Sequence, residues 1–285
     1  NSVNLDAGAM RKEEIEPLAG SGSLIVEGAM GLFDGAGVSG VGSSADLAKI
    51  LSLPVVLVID SGKTAHSIAA LVQGFKSFDN HVTIAGVILN RVASDRHLNI
   101  LSAALSKIDV PLLGFMFKSN IFSLSERHLG LVQASENQNL EHWIDTVAEA
   151  FAPSLDLETL TELTSQPKLK AQENKKPPGQ RIAVARDVAF EFSYPHHLRS
   201  WRLAGASISF FSPVADEAVA KDADFIFLPG GYPELHAGQI AAAQRFKSSI
   251  KGHAANDTPI YGECGGYMTL GDAIIDEHGV SHEML

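Results

Sequence analysis

Pro54 to Asp60, PVVLVID, offers apolar side chains to both faces of an extended chain, and such a strand is at home only in a parallel sheet covered on both sides. No other run constrains the fold as much, and it reads as a central strand. Short runs of the same kind recur at Thr83 to Leu89, Val110 to Phe115, Arg181 to Arg186, Ser207 to Phe211, Asp224 to Leu228 and Pro259 to Tyr261. Between them lie segments with helical periodicity, among them Ala65 to Phe78, His97 to Ser106 and Leu140 to Phe151. Strand and helix in alternation predict an α/β protein with parallel sheets flanked by helices. An earlier run, Leu24-Ile25-Val26, predicts one more strand, leading into Glu27.

The alternation breaks once. From Pro153 to Gln180 the chain carries Pro167, a mixed charged run from Lys168 to Lys176 and then Pro177-Pro178-Gly179, the composition of a solvated linker. The chain of 285 residues therefore reads as two parallel-sheet domains, 1–152 and 181–285, joined by 153–180. One cysteine excludes an intrachain disulfide framework and a CxxC metal site and fits a reducing cytoplasm. A formal charge of -11 argues against sequence-independent nucleic-acid binding. No apolar run approaches the length of a membrane span and no signal peptide opens the chain. Asn1-Ser2-Val3 starts without a methionine and Met284-Leu285 interrupts an apolar run, so the chain is expected to be a fragment.

The cysteine sits in Thr258 to Gly271, TPIYGECGGYMTLG. An apolar run precedes Cys264 and a helical pattern follows it. Gly-Glu-Cys-Gly-Gly has the form of a nucleophile elbow, a strained strand-to-helix turn that lifts one side chain above the sheet. A nearby helix N-terminus would lower the thiol's pKa; on spacing alone, a buried structural cysteine fits equally well. A second segment, DFIFLPGGYPE from Asp224 to Glu234, runs from a strand into Pro229-Gly230-Gly231. Glycines there free backbone N–H groups to approach a ligand, as an oxyanion hole requires, although Pro-Gly-Gly also makes an ordinary tight turn.

In the first domain, a carboxylate at the end of a parallel strand such as Glu27 is suited to Mg²⁺ or simply to water. Gly62-Lys63-Thr64 invites a P-loop reading, which fails because Leu57 stands where the motif's first glycine belongs. Lys63 is then the start of a helix, and His97 a solvated helix residue. Asn90 closes a strand, where an amide is a common turn former. Phe190, Phe192 and Tyr194 alternate, a pattern that fits sheet core or a large apolar ligand.

Together, LPGGYPE and YGECGG resemble the glutaminase domain of class I glutamine amidotransferases, and the likeness is greatest to the cobyric and cobyrinic acid synthase branch. It extends through VEGAMGLFDG, GVILNRV, LSERHLGLVQASE and RDVAFEFSY, with Ser125 and Gln133 standing where the branch commonly has proline. The resemblance implies an ATPase-like domain, of the P-loop and dethiobiotin-synthetase kind, followed by the amidotransferase domain. It implies ATP- and glutamine-dependent amidation of the a and c carboxylates of cobyrinate, a corrinoid acceptor, in cobalamin biosynthesis. Cys264 would be the nucleophile, with oxyanion donors near Gly230 and Gly265; Glu27 would lie near Mg²⁺ and ATP, and Asn90 near the adenine. Asp34 would face the acceptor carboxylate, Arg127 and His128 its propionates or phosphate, and Tyr194 the ring. Carboxylate activation would proceed through an acyl phosphate. A homodimer is left open.

The same resemblance places the phosphate-binding loop before Asn1 and the activating histidine after Leu285, so that this stretch alone is expected to bind ATP and hydrolyse glutamine poorly. Cobyric acid synthase, or a synthase acting on hydrogenobyrinate or a nickel sirohydrochlorin, is the alternative enzyme. An ATPase-like binding module without catalysis is the alternative of another class, and the elbow and the Pro-Gly-Gly corner speak against it.

Overall fold

The computed structural model describes residues 25–29, 31–123, 126–127, 130–131, 137, 139–164, 176–276 and 278–285. Its contacts divide the chain into two units, with the division between residues 171 and 172.

In the first unit the apolar runs become β1 (Val55–Asp60), β2 (Ile84–Val92) and β3 (Leu112–Phe117), parallel and in that spatial order. Ahead of them α1 (Ser44–Leu51) begins at a capping box in which the Asp46 N–H donates to Ser43 Oγ at 3.1 Å and the Ser43 N–H to the Asp46 carboxylate. The connecting helices α2 (Ser67–Phe78) and α3 (Asp95–Leu105) bury Ile68, Val72, Leu101 and Leu105 in one cluster with Val87 and Leu89 of β2. Each such side chain contributes roughly 2 kcal/mol relative to exposure. A short hairpin, β4 (Glu126–Arg127) with β5 (Gly130–Leu131), follows.

Four expectations change here. PVVLVID is an edge strand of the three described ones, with Val58 70% exposed, and β2 is central. The run 25–29 forms no strand and Ile25 is exposed, because among the described residues no ladder partner lies beside it. Asn90 and Arg91 lie inside β2 instead of beyond its end. The expected linker opens with packed structure: α4 (Leu140–Phe151) runs into a turn at 152–154 and α5 (Leu157–Glu162), and Leu155 bridges to Gly114 while the Asp156 N–H donates to Leu113 C=O at 2.8 Å. Gly114 has no side chain, so Leu155 can lie on β3, which composition does not reveal.

Asp79, at the end of α2, accepts from the His81 N–H at 2.9 Å and from Lys49 Nζ of α1 at 3.0 Å. The His81 N–H first, and then Lys49, hold its carboxyl at about 2, below the ordinary 3.8. The stabilisation is complete above the unfolded pKa and disappears as pH falls from there through about 2. Asp79→Asn is therefore expected to flatten the stability profile across that window in acid titrations followed by circular dichroism; an unchanged acid limb would count against the contact.

The second unit orders four parallel strands as β7 (Ser207–Phe211), β6 (Arg181–Ala185), β8 (Phe225–Leu228) and β9 (Ile260–Gly262). Between β6 and β7 runs α6 (Pro195–Leu203), and between β8 and β9 run α7 (Ala237–Ala242) and α8 (Gln244–Ala255). The 212–224 connection holds no helix, contrary to expectation. It is tied instead through side chains: the Val219 N–H donates to Ser249 Oγ, and Asp216 accepts from the Arg245 and Phe246 N–H groups that open α8. Phe190, Phe211, Ile226, Leu228, Ile240 and Phe246 fill the core. After β9 come α9 (Gly265–Thr269) and the antiparallel hairpin β10 (Ala273–Ile275) with β11 (Ser281–Glu283), closed by a His282–Asp276 pair at 2.8 Å. The chain leaves β6 toward β7 on one side and reaches β8 on the other. Open α/β sheets bind ligands at the carboxyl ends of such a pair.

Candidate active site

β9 ends where its backbone touches its neighbour for the last time, the Glu263 N–H donating to Leu228 C=O at 3.1 Å. The next residue turns sharply, with Cys264 at φ 49° and ψ -119°. A non-glycine residue there costs about 1–3 kcal/mol and persists only where its surroundings dictate it. They do so through glycine. A Cβ at Gly266 would strike Leu228 C=O, and one at Gly262 would meet Leu270 Cδ1 at 2.7 Å. With neither present, α9 starts directly on the backbone of β8. The thiol, on the N-terminal edge of α9, is exposed. The elbow is therefore real, and the alternative of a buried structural cysteine falls. Burial raises the pKa of the adjoining Glu263 carboxyl, so its charge is disfavoured in the folded turn above the ordinary glutamate range.

The Pro-Gly-Gly corner lies against that elbow. The Cβ position of Gly230 is 3.1 Å from Cys264 Cβ, and that of Gly265 is 2.8 Å from Gly231 O and 2.5 Å from Pro233 Cδ. Cys264, Gly230 and Gly265 thus lie together at the elbow. A third wall was not predicted. The turn 187–190, just beyond β6, places Ala189 C=O against Gly231 too closely for any Cβ, and the Phe192 N–H donates to Gly230 C=O at 3.0 Å. Phe192 also packs edge-on to Tyr232, with ring centroids 5.3 Å apart.

The three aromatics that alternate in sequence part ways. Phe190 is fully buried core, Phe192 stands at the corner, and Tyr194 precedes α6 with its ring tilted against His196 and His197 at 5.8 and 5.2 Å. His253 is structural, its ring placed between Thr258 Oγ1 and Ala220 C=O. Among the described residues, no cluster of three or more His, Cys, Asp or Glu could hold a metal.

In the first unit, β1 ends beside β2, with Asp60 in register with Asn90 and β2 running two residues further. Ser61 is fully buried and binds Asn90 C=O twice, through its N–H at 2.9 Å and its Oγ at 2.7 Å. Arg91 pairs with Asp60 at 3.0 Å across the exposed edge. Lys63 lies in the turn after β1, not in α2, which begins at Ser67. His97 is not merely solvated: Nδ1 accepts from the Ala93 N–H at 3.1 Å, so Nε2 donates to Thr64 C=O at 2.7 Å, tying the turn after β1 to the end of β2. Glu27 is exposed on 25–29, a segment joined to α1 where Ser44 Oγ donates to Ala29 C=O at 3.2 Å. Asp34 closes a turn, its N–H donating to Gly31 C=O at 3.0 Å. Arg127 lies on β4, and His128 falls outside the described residues.

Residues 181–285 match the model of the CobB/CobQ-like glutamine amidotransferase domain, and residues 2–117 match an AAA domain. Curated relatives align with almost the whole chain. The hydrogenobyrinate a,c-diamide synthase of Brucella anthropi is 51% identical over 292 residues, covering 99% of this chain and 67% of the relative. That of a Sinorhizobium species is 46% identical over 99% of this chain and 67% of its own length. The Mesorhizobium japonicum enzyme is 45% identical over 100% of this chain, again 67% of the relative. Among the described residues, no helix is long and apolar enough to cross a membrane.

Proposed function

The chain belongs to the family of hydrogenobyrinate a,c-diamide synthases, and from that premise we propose how its residues divide the work of an ATP- and glutamine-dependent ligase. Cys264 takes ammonia from glutamine. As thiolate it attacks the side-chain carboxamide, the C–N bond breaks, ammonia leaves with a proton, and water returns the thioester to glutamate and free thiol. Backbone N–H groups near Gly230 and Gly265 are assigned to the oxygen that becomes negative on attack. The observation that carries this reading is the exposed, positive-φ Cys264 packed against the Pro-Gly-Gly corner. A single accessible thiol that must remain reduced also suits a cytoplasmic enzyme.

The first unit is the synthetase. ATP, when bound with Mg²⁺, supplies the activation that makes an acceptor carboxylate an electrophile. Mg²⁺ keeps several waters and takes one or two carboxylates beside phosphate oxygens, a role that the exposed Glu27 fits without a preformed cluster. Asn90 is assigned to the adenine, its carbonyl fixed by Ser61 beside the end of β1. Asp34 and Arg127 are assigned to acceptor carboxylates, with His128, and Tyr194 to the corrin face. The acceptor is hydrogenobyrinate, as in the relatives' names; cobyrinate, the acceptor that the sequence resemblance implies, carries the same a and c carboxylates and is the second substrate to assay.

Treating the natural full-length protein with the glutamine analogue 6-diazo-5-oxo-norleucine is expected to label the Cys264 peptide at one equivalent, with glutamine protecting. Peptide mass spectrometry showing no selective adduct at Cys264 would leave only the noncatalytic binding module.

A further inference from the structure

The turn after β6 shapes the glutaminase corner, and one carboxylate holds that turn. Asp187 Oδ1 accepts from the Ala189 N–H at 2.9 Å, closing the turn on itself, while its backbone C=O accepts from the Phe190 N–H at 3.0 Å. Oδ2 accepts from Ser212 Oγ at 2.7 Å and from the Val214 N–H at 2.9 Å, both just beyond β7. Four bonds fix 187–190 between two strand ends. On its other side the turn presents Ala189 C=O and Phe190 Cα to Gly231, with no room for a side chain between them. Phe192 then ties its N–H to Gly230 C=O at 3.0 Å. Gly230 lies against Cys264, and Gly231, with Pro233, lies against Gly265.

We infer that Asp187 is a positioning residue for glutamine hydrolysis: acting through Ala189, Phe190 and Phe192, it sets where the Gly230–Gly231 backbone stands relative to Cys264. The inference rests on the proposed role of Cys264 and adds a residue that touches neither glutamine nor the thiol. A carboxylate suits the task because it accepts from several donors at once, whereas an amide in its place must turn one of its two ends, a donor, toward N–H or O–H groups. The Phe192 bond and the packing of Gly231 remain in its absence, so the corner shifts without collapsing.

The test separates two reactions of the same sulfur in the natural full-length protein. Alkylation by iodoacetamide needs the thiolate but no oxyanion donors; glutamine hydrolysis needs both. Asp187→Ala is expected to lower kcat for hydrolysis about 30-fold, with KM for glutamine changed less than about threefold and the alkylation rate at Cys264 unchanged, since displacements of about 1 Å cost up to 10²-fold. Asp187→Asn should fall between wild type and alanine, and Ser212→Ala, which removes one of the four bonds, should cost about threefold. Amide exchange of the peptide spanning residues 228–236 should quicken in the same order, a readout independent of turnover. Equal losses of hydrolysis and alkylation would reduce Asp187 to general folding and overturn the inference, as would unchanged kcat and exchange in Asp187→Ala. Hydrolysis that survives Cys264→Ser would instead overturn the reading on which the inference rests.

Discussion

Replacing Cys264 by alanine is expected to lower glutamine-dependent diamide formation by about 10⁴-fold or more, since losing a covalent nucleophile removes the pathway and leaves only background hydrolysis. Serine in its place should do little better. A hydroxyl on the same strained turn ionises far less readily than a thiol. The same variants should keep amidation fed by ammonium salt, because the sulfur's task ends once ammonia is free and the acceptor is activated by the other unit. Measuring both reactions on one preparation separates a lost nucleophile from a misfolded protein. Glutamine-dependent turnover within tenfold of wild type would remove Cys264 from the mechanism, and loss of both reactions together would show that the substitution had damaged more than the elbow.

The parts of this site that lie close in sequence could be read from it. Gly-Glu-Cys-Gly-Gly carries its own geometry: Gly266 where α9 must lie on β8, a cysteine between strand and helix, and Leu270 reaching back over Gly262. Pro-Gly-Gly signals a breaker after a strand in the same way. The strands were legible for a similar reason, because β-branched runs apolar on both faces have few other homes. Long-range packing was not legible. The segment 187–192 reads as alternating aromatics, yet Phe190 is core, Phe192 serves the corner, and the decisive residue is Asp187, whose partners Ser212 and Val214 lie beyond the next strand. Leu155 on Gly114 and His97 between Ala93 and Thr64 escaped for the same reason. In each case one small or polar residue acts through a neighbour that only the folded sheet supplies. The run 25–29 shows the converse: an apolar pattern proposes a strand, but among the described residues no ladder partner lies beside it.

Gly231→Ala tests whether the close approach at the corner matters to chemistry or only to packing. The added methyl meets the Ala189 carbonyl, which is backbone, and cannot turn aside as a side chain would. Either 187–190 yields, which Asp187 and its four bonds resist, or the corner swings away from it. Movement of the corner carries Gly230 off Cys264 Cβ, now 3.1 Å from its Cβ position, and shifts the Gly231 carbonyl that lies on Gly265. Overpacking of this kind costs about 1–3 kcal/mol of stability, and losing one well-placed oxyanion donor costs about 10²–10³-fold in kcat. The expected result is a protein that still folds, unfolds several degrees lower, and hydrolyses glutamine some 10²–10³-fold more slowly with its thiol still open to iodoacetamide. Combining it with Asp187→Ala is the informative step. If the turn and the corner are one device, releasing the turn lets 187–190 retreat from the new methyl, and the double variant should lose less than the two single losses multiplied. Losses that multiply fully would mean that Asp187 and Gly231 act on the elbow independently.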